Sequence, residues 1–199
     1  MTLSSYFFLS LSSWTAFTNT LQRYVHHKPM HVAGCVHNIL SVYLLSKGMH
    51  GLATINTLGF YTNDTMSMVY TSYCTPTERY TCMFHHAISI YFLVLPNPGI
   101  NPLVVAVFRD VELSNLAMYA YYYLSKLTAH RDVLAIANVA EALVYGYYRL
   151  GLVRHYVEHF ETVKSHYMEQ TLGAGLYVFG AYFTYVMSSF AVRKFVQLI

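Results

Sequence analysis

Hydrophobic residues run in long blocks along this chain, parted by short links that are polar or rich in proline and glycine. Their lengths and periods predict helices. The expected helices are about Leu3–Thr20 with Trp14 inside it, and His31–Ser46 with His37 and Asn38 at its middle and Lys47-Gly48 ending it. Further helices are expected at Thr81–Leu95, Leu103–Leu124, Val133–Leu152 and Leu172–Val192, the last closed by Arg193 and Lys194. Leu52–Tyr73 is apolar enough to insert into a membrane, but Asn56, Asn63 and Asp64 interrupt it. It fits either a helix lining a polar interior or a long loop. Cys74–Tyr80 reads as a turn, Lys126–Asp132 as a short charged link, and Arg154–Gln170 as an exposed or interfacial helix.

One segment organises the rest. Thr81–Leu95 is apolar and carries adjacent histidines, His85 and His86, ahead of the bend Pro96-Asn-Pro98-Gly99-Ile-Asn-Pro102. The apolar run after the bend holds Arg109, Asp110 and Glu112. His86 lies thirteen residues before Gly99 and Glu112 thirteen after it. At about 1.5 Å of rise per helical residue, the imidazoles and the carboxylates are expected at one height on neighbouring rods. Ionisable groups at membrane depth are costly and normally face a bundle interior, a partner or a cavity.

Composition makes the membrane the first reading. The chain has 199 residues, 55% hydrophobic and 11% charged, with a mean hydropathy of +0.35, whereas a soluble domain is about 25% charged. Tyrosine (20) far outnumbers tryptophan (1), which suits membrane interfaces and polar helix contacts. A net charge of +3 without a basic run excludes a nucleic-acid partner. Cys35, Cys74 and Cys82 are too few and too scattered for a disulfide framework or a metal ribbon. Met1–Leu21 lacks a basic leader and a clear cleavage site, so it is expected to stay as a transmembrane helix. With the N-terminus outside, seven spans place seven Lys and Arg residues inside against four outside, the bias that cytoplasmic loops favour.

In such a setting a neutral imidazole of His85 or His86 could take a proton from an amine or hydroxyl, or accept an acyl group. Asp110 or Glu112 would orient the ring. The same groups could equally form a hydrogen-bonded clamp between two helices, and Arg109 beside Asp110 reads as a local charge pair. Glu112, Asn115, Tyr119, Tyr122 and Lys126 recur at helical steps and share one face. Glu141 is a further expected buried acid, bonded to a tyrosine of the preceding helix or facing the interior. Asn63-Asp64-Thr65 is a glycosylation sequon whose modification would argue for a loop there.

Two metal readings compete. His155-Tyr-Val-Glu158-His159 fits a zinc pattern with both histidines on one helical face, and a third ligand would come from Glu161, His166 or Glu169. His26-His27-x-x-x-His31 with His85-His86 and His155/His159 hints at the histidine boxes of membrane metalloenzymes. The seven-span topology puts the last pair on the opposite side, and no metal site is expected.

The order of these features resembles the TLC domain (TRAM, LAG1 and CLN8 homology). His37 in Gly34-Cys-Val-His-Asn38 resembles the histidine of that family's first core helix. Ser67-Met-Val-Tyr70 resembles the segment leading to its second loop, and Phe84-His85-His86 its His-His motif. Glu112-Leu-Ser114-Asn115 resembles its Glu-x-Ser motif, and Arg149 an arginine near the end of the sixth helix. The likeness covers about His31 to Lys194. It departs where Phe108-Arg109-Asp110-Val-Glu112 stands in place of the His-Asp-x-x-Asp element of ceramide synthases, and where an aspartate near Tyr70–Cys74 is absent.

The resemblance implies an all-α, polytopic integral membrane helical bundle of about seven transmembrane helices. Residues 1–30 would form a leading helix and link, and residues 31–199 a TLC-like six-helix core. It implies binding of an acyl chain or sphingolipid-like ligand, with acyl transfer or lipid homeostasis as the activity, in the endoplasmic reticulum or another internal membrane. His85, His86, Asp110 and Glu112 would be catalytic, and His37, Ser114, Asn115, Tyr119, Tyr122 and Glu141 would line the lipid. No resident cofactor is expected, and an acyl-CoA is the co-substrate that acyl transfer would draw on. The alternatives are a non-catalytic structural subunit among other membrane subunits and a His-box metalloenzyme.

Overall fold

The computed structural model describes residues 3–25, 29–70, 75–94, 102–127, 130–162 and 167–196, and among them all regular structure is helical. The elements are α1 (Leu3–Tyr24), α2 (Pro29–Ser46), α3 (His50–Tyr70), α4 (Pro76–Val94), α5 (Pro102–Leu127), α6 (Arg131–Gly146), α7 (Val153–Thr162) and α8 (Tyr167–Val196). A π-helical turn, Tyr147–Leu152, joins α6 to α7 without a break in helical backbone.

Local chemistry sets the ends. Pro29, Pro76 and Pro102 each open a helix, the position where proline's fixed φ helps and its missing N–H costs nothing. The turn expected at Cys74–Tyr80 is corrected accordingly. Pro76 to Tyr80 form the first turn of α4, and Cys74 lies outside the described residues. After α2, Gly48 adopts φ 71°. Its N–H bonds Leu45 O at 3.1 Å and that of Met49 bonds Leu44 O at 2.9 Å, which is a Schellman closure. Of the two readings of Leu52–Tyr73, the helix lining a polar interior is the one observed as far as Tyr70.

The chain divides into two compact units, Met1–Ile100 and Asn101–Ile199, each described by itself. In the first, α3 is central and packs against α1, α2 and α4. A Cβ at Gly59 would collide with the Ser10 side chain and sit 3.0 Å from Leu11 N, so α1 and α3 approach closely there. In the second unit α6 packs on α5 and α8, and the π turn touches α5, α7 and α8. Val107, Val111 and Val153 form a buried cluster covered by Leu103, Val104, Tyr156, Val157 and Tyr177. This refines the expectation of an exposed or interfacial helix over Arg154–Gln170. Arg154, His155, Glu158 and His159 are exposed, but α7 turns Val153, Tyr156 and Val157 inward, and α8 begins at Tyr167.

Several helices carry exposed apolar stripes beside buried polar side chains. On α2, Val36, Ile39, Leu40 and Tyr43 form an exposed stripe, while His37, Asn38 and Ser41 are buried. On α6, Val133, Ile136, Leu143 and Val144 face outward, and Asn138 is buried with Ala135 and Ala142. Asp110 and Glu112 of α5 are both 0% exposed. In water a helix places its apolar stripe toward the core. By length and composition, Gln170–Val196 of α8 is a helix able to cross a membrane, with 22% of its most apolar window buried.

Candidate functional site

In the first unit the polar side chains of α1, α2 and α3 interlock around His37. Asn56 of α3 donates from Nδ2 to Ser41 Oγ (3.1 Å) and lies 3.2 Å from His37 Nδ1. Its Oδ1 accepts from Trp14 Nε1 at 3.1 Å. Ser41 Oγ lies 3.3 Å from Thr57 Oγ1. The His37 ring stacks on Phe60 with centroids 4.2 Å apart and planes 9° apart, and Trp14 meets it edge-on. Asn63 accepts from Thr15 Oγ1 at 3.1 Å and reaches Thr18 Oγ1 at 3.4 Å, which places the sequon inside the packed helix. These bonds exist because α3 sets Asn56, Asn63 and Asp64 on its inner sides, the residues that made it look interrupted.

One turn further along α3 the second histidine centre begins. Thr65 Oγ1 lies 3.1 Å from His86 Nδ1, and Asp64 Oδ2 lies 3.6 Å from His86 Nε2. With Thr65 as donor, the neutral ring carries its proton on Nε2, facing the carboxylate. Tyr61 stacks on His86 at 4.3 Å and contacts His37 and His85, each at under 6 Å between ring centroids. His86 is buried and His85 half-buried. Tyr61 thus joins the three histidines into one aromatic and imidazole chain. Asp64 and Thr65 were not anticipated as site residues. Their signal is the spacing Thr57, Tyr61, Asp64/Thr65, Met68 along one helical face, the buried face of α3.

Asp110 and Glu112 belong to the second unit, and the bend at residues 95–101 lies outside the described residues. Arg109 donates from Nε and Nη2 to Asp110 Oδ1, both at 3.2 Å, the local charge pair that their adjacency suggested. Ser114 and Asn115 meet Arg149 of the π turn. The guanidinium donates to Ser114 Oγ at 2.7 Å and to Asn115 Oδ1 at 2.9 Å. Tyr119 and Tyr122 continue the stripe half-buried, with Lys126 Nζ 5.7 Å from the Tyr122 ring centre. Glu141, expected as a buried acid, is half-buried. It accepts from Asn138 of its own helix at 3.0 Å rather than from a tyrosine of α5.

Among the described residues, no group of three or more His, Cys, Asp or Glu side chains is placed to hold a metal ion. His155 and His159 lie with ring centroids 4.7 Å apart. His26, His27 and His166 and the side chains of Glu161 and Glu169 fall outside the described residues. Cys35 is a free thiol. Searches among protein families, curated proteins and solved structures find no match to this chain.

Proposed function

We propose that this chain is a multi-pass integral membrane protein of TLC-like build that binds an acyl chain or lipid, with the His86 centre at the ligand's polar end. The observation that carries the reading is the pairing of exposed apolar stripes with buried polar groups. Imidazoles, amides and carboxylates are buried, while Val36, Ile39, Leu40, Ile136 and Leu143 point outward. In water that outward stripe forfeits about 25 cal/mol per Å2 of apolar surface, and in hydrocarbon it costs nothing. A hydroxyl bonds one nitrogen of the His86 ring and a carboxylate stands 3.6 Å from the other, which suits a base or hydrogen-bonding group working in dry surroundings.

A second reading is favoured by the closed hydrogen-bond chain Trp14–Asn56–Ser41–Thr57, which fastens α1, α2 and α3 together. It is a non-catalytic membrane subunit whose polar groups only clamp helices. Lipid extraction from purified wild type and from H85A/H86A separates the two. The lipid-binding reading expects an acyl species that co-purifies with wild type and is lost from the double variant. Absence of any bound acyl species from wild type would leave the structural subunit.

A further inference from the structure

Arg149 is 3% exposed, and no described carboxylate lies within ion-pair distance of it. Burying an unpaired cation costs several kcal/mol. Its hydrogen-bond partners, Ser114 Oγ and Asn115 Oδ1, are neutral, and the Tyr145 ring centre lies 5.1 Å from Cζ. A guanidinium carries five N–H donors. These bonds engage Nε and one hydrogen of Nη2, leaving the two on Nη1 and the second on Nη2. That remaining edge is the fork that matches a carboxylate or phosphate in two parallel bonds.

The backbone is shaped around this side chain. Arg149 stands in the π-helical turn Tyr147–Leu152, a rare geometry that is frequent at functional sites. On α8, Gly180 lets that helix close on the arginine's stem. A Cβ there would lie 3.0 Å from Arg149 Cβ. Ser114 is itself fixed by donating to Val111 O at 2.6 Å. The positive group is therefore held rigidly, with its charge unmatched.

We propose that Arg149, braced by Ser114, Asn115 and Tyr145, is a seat for an oxyanion, the carboxylate or phosphate end of an amphiphile. The inference rests on the lipid-binding reading for the amphiphile's tail, but not for the anion. A carboxylate and a phosphate share the chemistry the fork recognises.

The full-length protein in neutral detergent micelles, at alkaline pH, is titrated with three probes: oleate, oleyl alcohol and inorganic phosphate. Thermal melting monitors the fold. Oleate is expected to bind wild type roughly tenfold more tightly than oleyl alcohol, the ratio that one charge-assisted pair supplies. R149Q is expected to lose that preference while keeping its affinity for the alcohol. R149K, which keeps the charge but not the fork, is expected to fall between them, and it carries the test should R149Q fail to fold. Competition by phosphate would identify the seat as one for phosphate esters, and its absence as one for carboxylates. Phosphate binding to wild type but not to R149K, with neither oleyl probe bound, would keep the seat and remove the acyl reading. Equal binding of oleate and oleyl alcohol, unchanged in R149K, would overturn the inference, as would binding of none of the three probes.

Discussion

Tyr61 lies flat against the imidazole of His86, with ring centroids 4.3 Å and planes 13° apart. The stack fixes the plane of the ring, and Thr65 fixes its rotation within that plane. Thr65→Val keeps the shape and removes the hydroxyl, so one ring nitrogen loses its partner. The expected cost is about 1 kcal/mol of stability. The ring's tautomer balance is expected to move with it, read from the 15N shifts of His86. Unchanged shifts in the variant would mean that Thr65 does not orient the ring.

Asn56 serves three partners at once, Trp14, Ser41 and His37. Asn56→Leu is expected to destabilise the protein by about 1–3 kcal/mol, since buried groups on two other helices are then left unsatisfied. Trp14 is the chain's single tryptophan, so its fluorescence reports this contact directly. Loss of the acceptor for its N–H is expected to shift the emission to the blue. Emission identical to wild type would contradict the bond.

Close approach of α1 and α3 depends on Gly59. Gly59→Ala would bring a methyl group to 2.8 Å from Ser10 Cβ, and such overpacking costs about 1–3 kcal/mol. Ser10→Gly clears most of that space. The double variant is therefore expected to regain much of the stability lost by the single one, measured by thermal melting. A double variant no more stable than Gly59→Ala would place the strain elsewhere.

The sequon offers a compositional test. Asn63 is 4% exposed and bonded to α1, so a glycosyltransferase cannot reach it in the folded chain. Expression in a glycosylating cell is expected to give a product whose gel mobility is unaffected by peptide N-glycosidase. A glycan at Asn63 would contradict the packing of α3.

How much of this was legible in the sequence differs by element. The long apolar blocks and their proline and glycine borders predicted the helices to within a few residues, because those signals are local. The second and third helices show where local signals run out. His37 was singled out from a motif, but Asn56 and Asp64 looked like interruptions. Hydropathy counts a polar residue without regard to which way it points, and only packing shows that these face inward together. Thr65 and Asp64 became site residues for the same reason. Glu141 found its partner three residues away on its own helix, a choice that burial alone does not dictate. The π turn that carries Arg149 has no sequence signature that separates it from ordinary helix.

The central claim is that the apolar stripes face hydrocarbon while the histidine centres face inward. A nitroxide at Ile39→Cys, in protein whose native cysteines are replaced by serine and which is reconstituted into liposomes, measures this most directly. Collision with dissolved oxygen is expected to be far more frequent than collision with a water-soluble nickel chelate. An adjacent label at Asn38→Cys is expected to be shielded from both. Should the Ile39 label meet the nickel chelate as readily as an exposed label on a soluble helix, the stripe faces water and the account of a membrane-embedded bundle is contradicted.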